Sequence, residues 1–144
     1  VLPSAVAELI NSTNKPLSGK KLLVIANNPK FLHASLSKIY LKDGVVVESI
    51  DADDSSLKDK TVTADILVVA VGRPHFIKAN MIKSGAILID VGITKTSKGV
   101  LGDIDPACDS IASFRTPVPG GVGPVTVATV MKNTIACFYK TTKK

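Results

Sequence analysis

Short apolar runs separated by helix-length amphipathic segments constrain this chain more than any other feature. Leu22-Leu23-Val24-Ile25 lies within a strand pattern over 20–26, and Ile66 to Val71 within one over 65–71. Further strand patterns cover Val45 to Ile50 and Ala86 to Val91, and a short last one is expected over Ser110 to Phe114. Between the first two comes a helical pattern with Leu32, Leu36, Ile39 and Tyr40 on one face, closed by Asp43-Gly44. An opening helix over 3–13 places Val6, Leu9 and Ile10 together, with Pro3 at its start. A short helix around 79–83 precedes the 86–91 run. A closing helix carries Val127, Val130, Met131, Thr134 and Phe138 in one stripe. Asp51 to Lys60 reads as a loop or short helix, and Gly92 to Asp105 as a long irregular stretch. Strands that alternate with helices and are apolar on both faces form parallel sheets with crossover helices. The expected fold is α/β, a doubly wound, Rossmann-like parallel sheet in a single domain spanning 1–144.

In such a sheet a ligand lies beyond the carboxyl ends of the strands. The segments expected around that crevice are 26–30, 50–54, 71–74, 91–94 and 115–123. Composition removes several other functions. With 45% hydrophobic and 21% charged residues, the 144-residue chain is that of an ordinary globular domain rather than a disordered one. It has no apolar run of the length a spanning helix needs, so no membrane partner is expected. The net charge of +6 comes from dispersed lysines without an Arg-rich run or interleaved aromatics. That argues against nucleic acid and leaves a solvated basic surface or a mild attraction for polyanionic ligands. Cys108 and Cys137 lack metal-ligand spacing, and His33 and His75 are too isolated to hold a metal, so no metal site is expected. Cys137 reads as a small core residue. Val1-Leu2-Pro3-Ser4 has no basic segment of a secretory signal and no initiator Met, which suggests a cytoplasmic protein and a piece of a longer chain.

The most distinctive local run is Pro117-Val118-Pro119-Gly120-Gly121-Val122-Gly123-Pro124-Val125-Thr126. Adjacent glycines let backbone approach a ligand closely and expose N–H donors, while prolines stiffen the loop. Pro124 is placed to open the following helix, whose positive end would face an anion or a carbonyl. An ordinary Gly/Pro turn before a helix explains the same composition.

This run resembles the Pro-Gly-Gly-Val-Gly-Pro-x-Thr signature of the methylenetetrahydrofolate dehydrogenase/cyclohydrolase family. Other segments agree in the family's order. They are Leu2-Pro3-Ser4-Ala5-Val6, Leu17-Ser18-Gly19-Lys20-Lys21, the stretch from Ala64-Asp65-Ile66 to Gly72-Arg73-Pro74, Ile89-Asp90-Val91-Gly92-Ile93 and Gly102-Asp103-Ile104-Asp105. The resemblance implies the NAD(P)-binding domain of an enzyme that oxidises 5,10-methylenetetrahydrofolate to the methenyl form and hydrolyses that to 10-formyltetrahydrofolate. It implies that Gly72, Arg73 and Pro74, with Val71, border the nicotinamide side. Val91, Gly92 and Ile93 would meet the cofactor near its ribose and carboxamide. Pro119, Gly120, Gly121 and Gly123 would close over a tetrahydrofolate derivative. In the family, the catalytic Lys and Tyr belong to an earlier domain, so no catalytic residue is assigned here and the isolated chain is expected to be inactive. A homodimer is left open.

The chain departs from the family pattern after its first strand. Where the family has Gly-Arg-Ser-x-x-Val-Gly-x-Pro, this chain has Ala26-Asn27-Asn28-Pro29-Lys30-Phe31-Leu32-His33-Ala34. The two glycines are replaced by Ala26 and Leu32, and the arginine by Asn27. A leucine where backbone should meet pyrophosphate is a steric objection. Asn27, Asn28 and Lys30 are the candidates for a remodelled phosphate site. Losing two charge-assisted hydrogen bonds would weaken binding by about 3–6 kcal/mol, or roughly two to four orders of magnitude. At the end of the second strand Asp51 is the candidate ribose acceptor, in an acidic stretch that disfavours a 2′-phosphate. Weak binding of NAD or NADP is expected, with NAD no worse than NADP. The rival expectation is a non-catalytic relative of the fold that has lost dinucleotide binding and acts as a structural or interaction domain.

Overall fold

A computed structural model describes residues 2–129, 131 and 132. The chain enters through helix α1 (Leu2–Asn11) and then strand β1 (Lys21–Ala26). Helix α2 (Lys30–Ile39) leads to β2 (Val46–Asp51), and α3 (Leu57–Thr61) to β3 (Ile66–Ala70). Strand β4 (Ile87–Asp90) is followed by β5 (Thr94–Thr96), β6 (Gly99–Leu101) and β7 (Phe114–Arg115). Residues 122–129 are helical. The main sheet has the order β2-β1-β3-β4-β7, with every neighbouring pair parallel. After β1 the chain moves outward to β2, then crosses back to place β3 on the other side of β1. This is the doubly wound pattern, and the reversal opens a crevice at the carboxyl ends of β1 and β3.

The central strands are buried on both faces, which explains their unbroken apolar runs. Leu23, Ile25, Leu67, Val69 and Leu88 point to one face and pack with Leu57, Ile77, Ile82, Ile104 and Cys108. Leu22, Val24, Ile66, Val68, Ile87 and Ile89 point to the other, against Val6 and Ile10 of α1, Leu32, Leu36 and Tyr40 of α2, and Val122. This alternation follows the two-residue period of a strand.

Several expectations change in detail. The stretch expected to be irregular, Gly92 to Asp105, contains an antiparallel hairpin of β5 and β6. The short helix near 79–83 is a single 3-10 turn, Ala79–Met81, and the last strand begins at Phe114 because Pro106–Ser110 forms another 3-10 turn. Ile39 is 39% exposed, so the apolar stripe of α2 is narrower than expected, and helix α2 gives way at Tyr40 rather than at Asp43-Gly44. Val127 and Met131 are each 61% exposed, so they form an outward face rather than core. Val130, Thr134, Cys137 and Phe138 lie outside the described residues.

Two carboxylates organise the carboxyl edge of the sheet. Asp90 ends β4 and is buried; it accepts backbone N–H bonds from Gly92, Asp103 and Ile104, each at 3.0 Å. Asp103 has no exposed surface and accepts from the N–H groups of Val71 at 2.6 Å, Gly72 at 3.0 Å and Arg73 at 3.0 Å. Thus β4 holds the segment after the hairpin, and that segment holds the chain as it leaves β3. Burial pushes the Asp90 carboxyl up from the usual range, the three N–H bonds oppose the rise, and the nearby Asp103 adds to it. The sign follows from linkage: Asp90 contributes most to stability when protonated, and that contribution is lost as pH rises through its folded-state pKa.

Glycine is required where these carboxylates crowd the backbone. A Cβ on Gly102 would fall within the Asp90 carboxylate, and one on Gly92 within that of Asp103. Gly123 has open space and an ordinary backbone. Gly102→Ala is therefore expected to destabilise the fold by about 3 kcal/mol or more through overpacking against the buried Asp90 carboxyl. Gly123→Ala is expected to be neutral or stabilising, because alanine favours the helix. Urea unfolding of both variants checks the contrast, and equal midpoints would refute it.

Candidate functional site

The crevice at the ends of β1, β2 and β3 is built from three short loops. Asn27 and Asn28 form an exposed bend after β1, and Asn27 Nδ2 donates to the carbonyl of Val71 at 3.0 Å. Pro29 caps α2 without a side-chain hydrogen bond. The first helical bond runs from His33 N–H to the Pro29 carbonyl at 2.8 Å. Lys30, Phe31 and Leu32 therefore present N–H groups without intrahelical acceptors, at the positive end of the helix. Lys30 is exposed beside them, and Phe31 is 72% exposed. His33 Nδ1 lies 2.6 Å from Ser49 Oγ, tying α2 to β2.

Leu32 does not obstruct this surface. It is only 6% exposed and its side chain packs in the core beneath α2. The steric objection raised by the sequence therefore takes another form. A leucine between helix and sheet needs more room than a glycine at the same contact, because helix spacing depends on the side chains packed there. Pro29, for its part, has no N–H to offer.

Asp51 ends β2 beside Ala26, and its Oδ1 accepts the N–H of Asp53 at 3.0 Å. Arg73 does not reach toward Val91–Ile93. Its guanidinium forks onto Asp53, at 2.9 and 3.2 Å, and lies 5.4 Å from the centre of the Phe76 ring. The guanidinium beside Asp53 holds that carboxyl below the usual range, first by hydrogen bonding and then by charge. Gly72 has φ +77°, a backbone conformation suited to glycine, and exposes the turn before Pro74.

Beyond β4 and β7 lies a pocket of about 350 Å3. Val91 and Ile93 form one wall, and Pro119, Gly120, Gly121 and Gly123 the other. The Val118–Pro119 peptide is cis, and Gly120 has φ +105°. Gly92 lies beneath this surface, its N–H on Asp90, rather than lining it. Seven lining residues, Leu2, Asp90, Pro117, Val118, Val122, Pro124 and Thr126, were not singled out from the sequence as candidate site residues. Among the described residues Asp90 is the one ionisable side chain in the lining, and its oxygens are already taken by backbone N–H groups. Among the described residues the lining contains no Lys, Tyr, His or Cys.

The residues present fit a dinucleotide in part. An acidic strand end at Asp51, the donors at the start of α2 and an apolar pocket follow one another along the carboxyl edge, although the usual glycine cradle is absent. Among the described residues no group of three His, Cys, Asp or Glu side chains is placed to hold a metal ion. Among them no helix is long and apolar enough to cross a membrane. A smaller pocket of about 190 Å3 lies at the opposite edge of the sheet, with Lys15, Lys20, Asp65 and Lys83 in its wall.

Comparison with known proteins places this geometry in context. Residues 1–142 match the model for the NAD(P)-binding domain of tetrahydrofolate dehydrogenase/cyclohydrolase. The bifunctional protein FolD of Caldicellulosiruptor saccharolyticus is 43% identical over 136 residues, covering 92% of this chain and 48% of that protein. The Bacillus subtilis FolD protein is 38% identical over 141 residues, 96% of this chain and 50% of its own length. The chain thus spans about half the length of these relatives. Among solved structures, the Trypanosoma brucei methylenetetrahydrofolate dehydrogenase-cyclohydrolase complexed with NADP and an inhibitor superposes with a TM-score of 0.88 at 29% identity, covering 99% of this chain and 51% of that one. The silkworm (Bombyx mori) 5,10-methylenetetrahydrofolate dehydrogenase gives 0.86 at 34% identity, covering 99% and 52%.

The Gly/Pro loop is anchored by Thr116, which is fully buried and whose Oγ1 accepts the N–H of Asp90 at 2.8 Å. Thr116→Val keeps the shape but leaves that N–H without a partner, at an expected cost of about 1–3 kcal/mol. Thr116→Ser restores the acceptor and should recover most of the loss. Denaturant midpoints for the two variants test this, and a Val variant as stable as the parent would contradict it.

Proposed function

Because the chain belongs to the tetrahydrofolate dehydrogenase/cyclohydrolase family as its NAD(P)-binding domain, we propose that it is the cofactor-binding half of a folate one-carbon enzyme. In this proposal the whole protein oxidises 5,10-methylenetetrahydrofolate to the methenyl form with NAD(P) and hydrolyses that to 10-formyltetrahydrofolate. A cytoplasmic setting and a homodimer belong to the same proposal. The observation that carries it is the order of features along one sheet edge. The strand end of β2, the unpaired N–H groups at the start of α2 after β1, the strand end of β3 and the apolar pocket beyond β4 follow in that order across the sheet.

The chain's own residues bind and orient. The N–H groups of Lys30, Phe31 and Leu32 face the pyrophosphate, with Asn28 and Lys30 beside them. Asp51 accepts from the adenosine ribose through the carboxylate oxygen that does not hold its own loop. Val71, Gly72 and Pro74 form the floor between the two halves of the crevice. Val91 and Ile93 pack the nicotinamide end. When bound, the nicotinamide supplies the acceptor for the hydride leaving the methylene carbon of the folate. Pro119, Gly120, Gly121 and Gly123 hold the folate against that end and exclude water from it, and a stiff loop lowers the entropy cost of doing so. Proton transfer falls to residues outside this chain.

A second reading is favoured by Leu32 and Pro29. A bulky residue between α2 and the sheet, with one N–H donor lost, is what a relative without a working phosphate site would show. The two readings separate on affinity. Calorimetric titration of this chain is expected to give binding of NAD on the order of millimolar, no weaker than that of NADP. Micromolar NADP binding, tighter than NAD, would mean that the Asn27–Lys30 loop is a full phosphate cradle. The same preparation should show no turnover of methylenetetrahydrofolate with either cofactor. Cofactor reduction above the uncatalysed background would overturn the assignment of proton transfer to residues outside this chain.

A further inference from the structure

Arg73 and Asp53 stand on opposite sides of β1. Asp53 follows β2 and Arg73 follows β3, and β1 lies between those strands in the sheet. Their fork of two hydrogen bonds therefore joins the segment after β2 to the segment after β3, past the end of β1. A second link, from Asn27 Nδ2 to the Val71 carbonyl at 3.0 Å, joins the segments after β1 and β3. The Phe76 ring near the guanidinium limits how it can turn. Both side chains are largely exposed, 46% for Arg73 and 72% for Asp53, so the pair is weak and exchangeable.

We infer that Asp53 is a specificity-determining residue that occupies the guanidinium of Arg73 and thereby disfavours dinucleotides bearing a 2′-phosphate. The inference rests on the dinucleotide reading given above. In a doubly wound sheet the adenosine ribose lies at the end of the second strand, where Asp51 and Asp53 sit. An arginine fork matches a phosphate as well as it matches a carboxylate. Here the fork is already filled, and the filling group is an anion. A 2′-phosphate must displace Asp53 from Arg73 and then remain close to the carboxylates of both Asp51 and Asp53. The ribose hydroxyls of NAD make neither demand. The family arginine after β1 is Asn27 in this chain, so Arg73 is the guanidinium placed here among the described residues.

The test is the ratio of NADP to NAD affinity, measured by NMR titration into the millimolar range. It uses the full chain and its variants Asp53→Asn, Arg73→Gln and Asp53→Asn/Arg73→Gln. Removing one unit charge at about 4 Å in a water-like medium corresponds to about a fivefold change. Asp53→Asn should raise the ratio at least about fivefold, with NAD affinity nearly unchanged. The double variant should lose that gain, because the freed guanidinium is what receives the phosphate. An unchanged ratio in Asp53→Asn, with NAD still binding, would overturn the proposal alone. So would a gain that survives in the double variant, since repulsion by Asp53 would then be the whole effect. If neither dinucleotide binds the parent or any variant, the dinucleotide reading itself falls and takes this inference with it.

Discussion

Asp103 has no contact with water, yet its carboxylate receives three consecutive backbone N–H groups, those of Val71, Gly72 and Arg73. Asp90 receives three more, and one of them is the N–H of Asp103 itself. A buried carboxyl group is tolerated only when its oxygens find hydrogen-bond partners, and six backbone N–H groups supply them here. The two acids therefore convert an arrangement of loose loop ends into a cross-linked rim. The turn after β3, the turn after β4 and the return from the hairpin are all held by them. Thr116 extends the same rim to the Gly/Pro loop through the N–H of Asp90.

This rim explains why the site is a surface of backbone rather than of reactive side chains. Strand ends held by buried acids present glycines, prolines and aliphatic groups outward, and close packing leaves no room for a side chain at Gly92 or Gly102. Such a surface suits a flat, extended ligand that needs shape and a few N–H donors. It offers little acid–base chemistry, which agrees with a chain that spans about half the length of its relatives.

The core was legible because burial on both faces leaves a plain mark. Runs such as Leu22 to Ile25 and Ile66 to Val71 cannot be anything but central strands once helices flank them, and the parallel order follows from the crossovers. The β5–β6 hairpin was not legible, since its strands are three residues long and largely exposed, with no apolar face to betray a period. Ile39 and Val127 sat on apolar stripes but face solvent, because periodicity gives a face and not what covers it. Asp90 and Asp103 could be seen as motif residues, but their partners are backbone groups up to thirty-two positions away, which no local pattern encodes. The pairing of Arg73 with Asp53, twenty residues apart, was hidden for the same reason. Leu32 was placed correctly in the chain and wrongly in space: its position in α2 turns it inward to the core.

On the proposed reading the carboxyl edge of this sheet, from β2 and α2 to the Gly/Pro loop, is one continuous dinucleotide surface. Amide chemical-shift mapping of the chain during titration with NAD tests this. Shifts are expected in one connected band: residues 27–32, 51–54, 71–73 and 91–93, with smaller changes over 119–123. Shifts confined to the opposite edge, around Lys15, Lys20 and Lys83, or no shifts at saturating millimolar NAD, would contradict it.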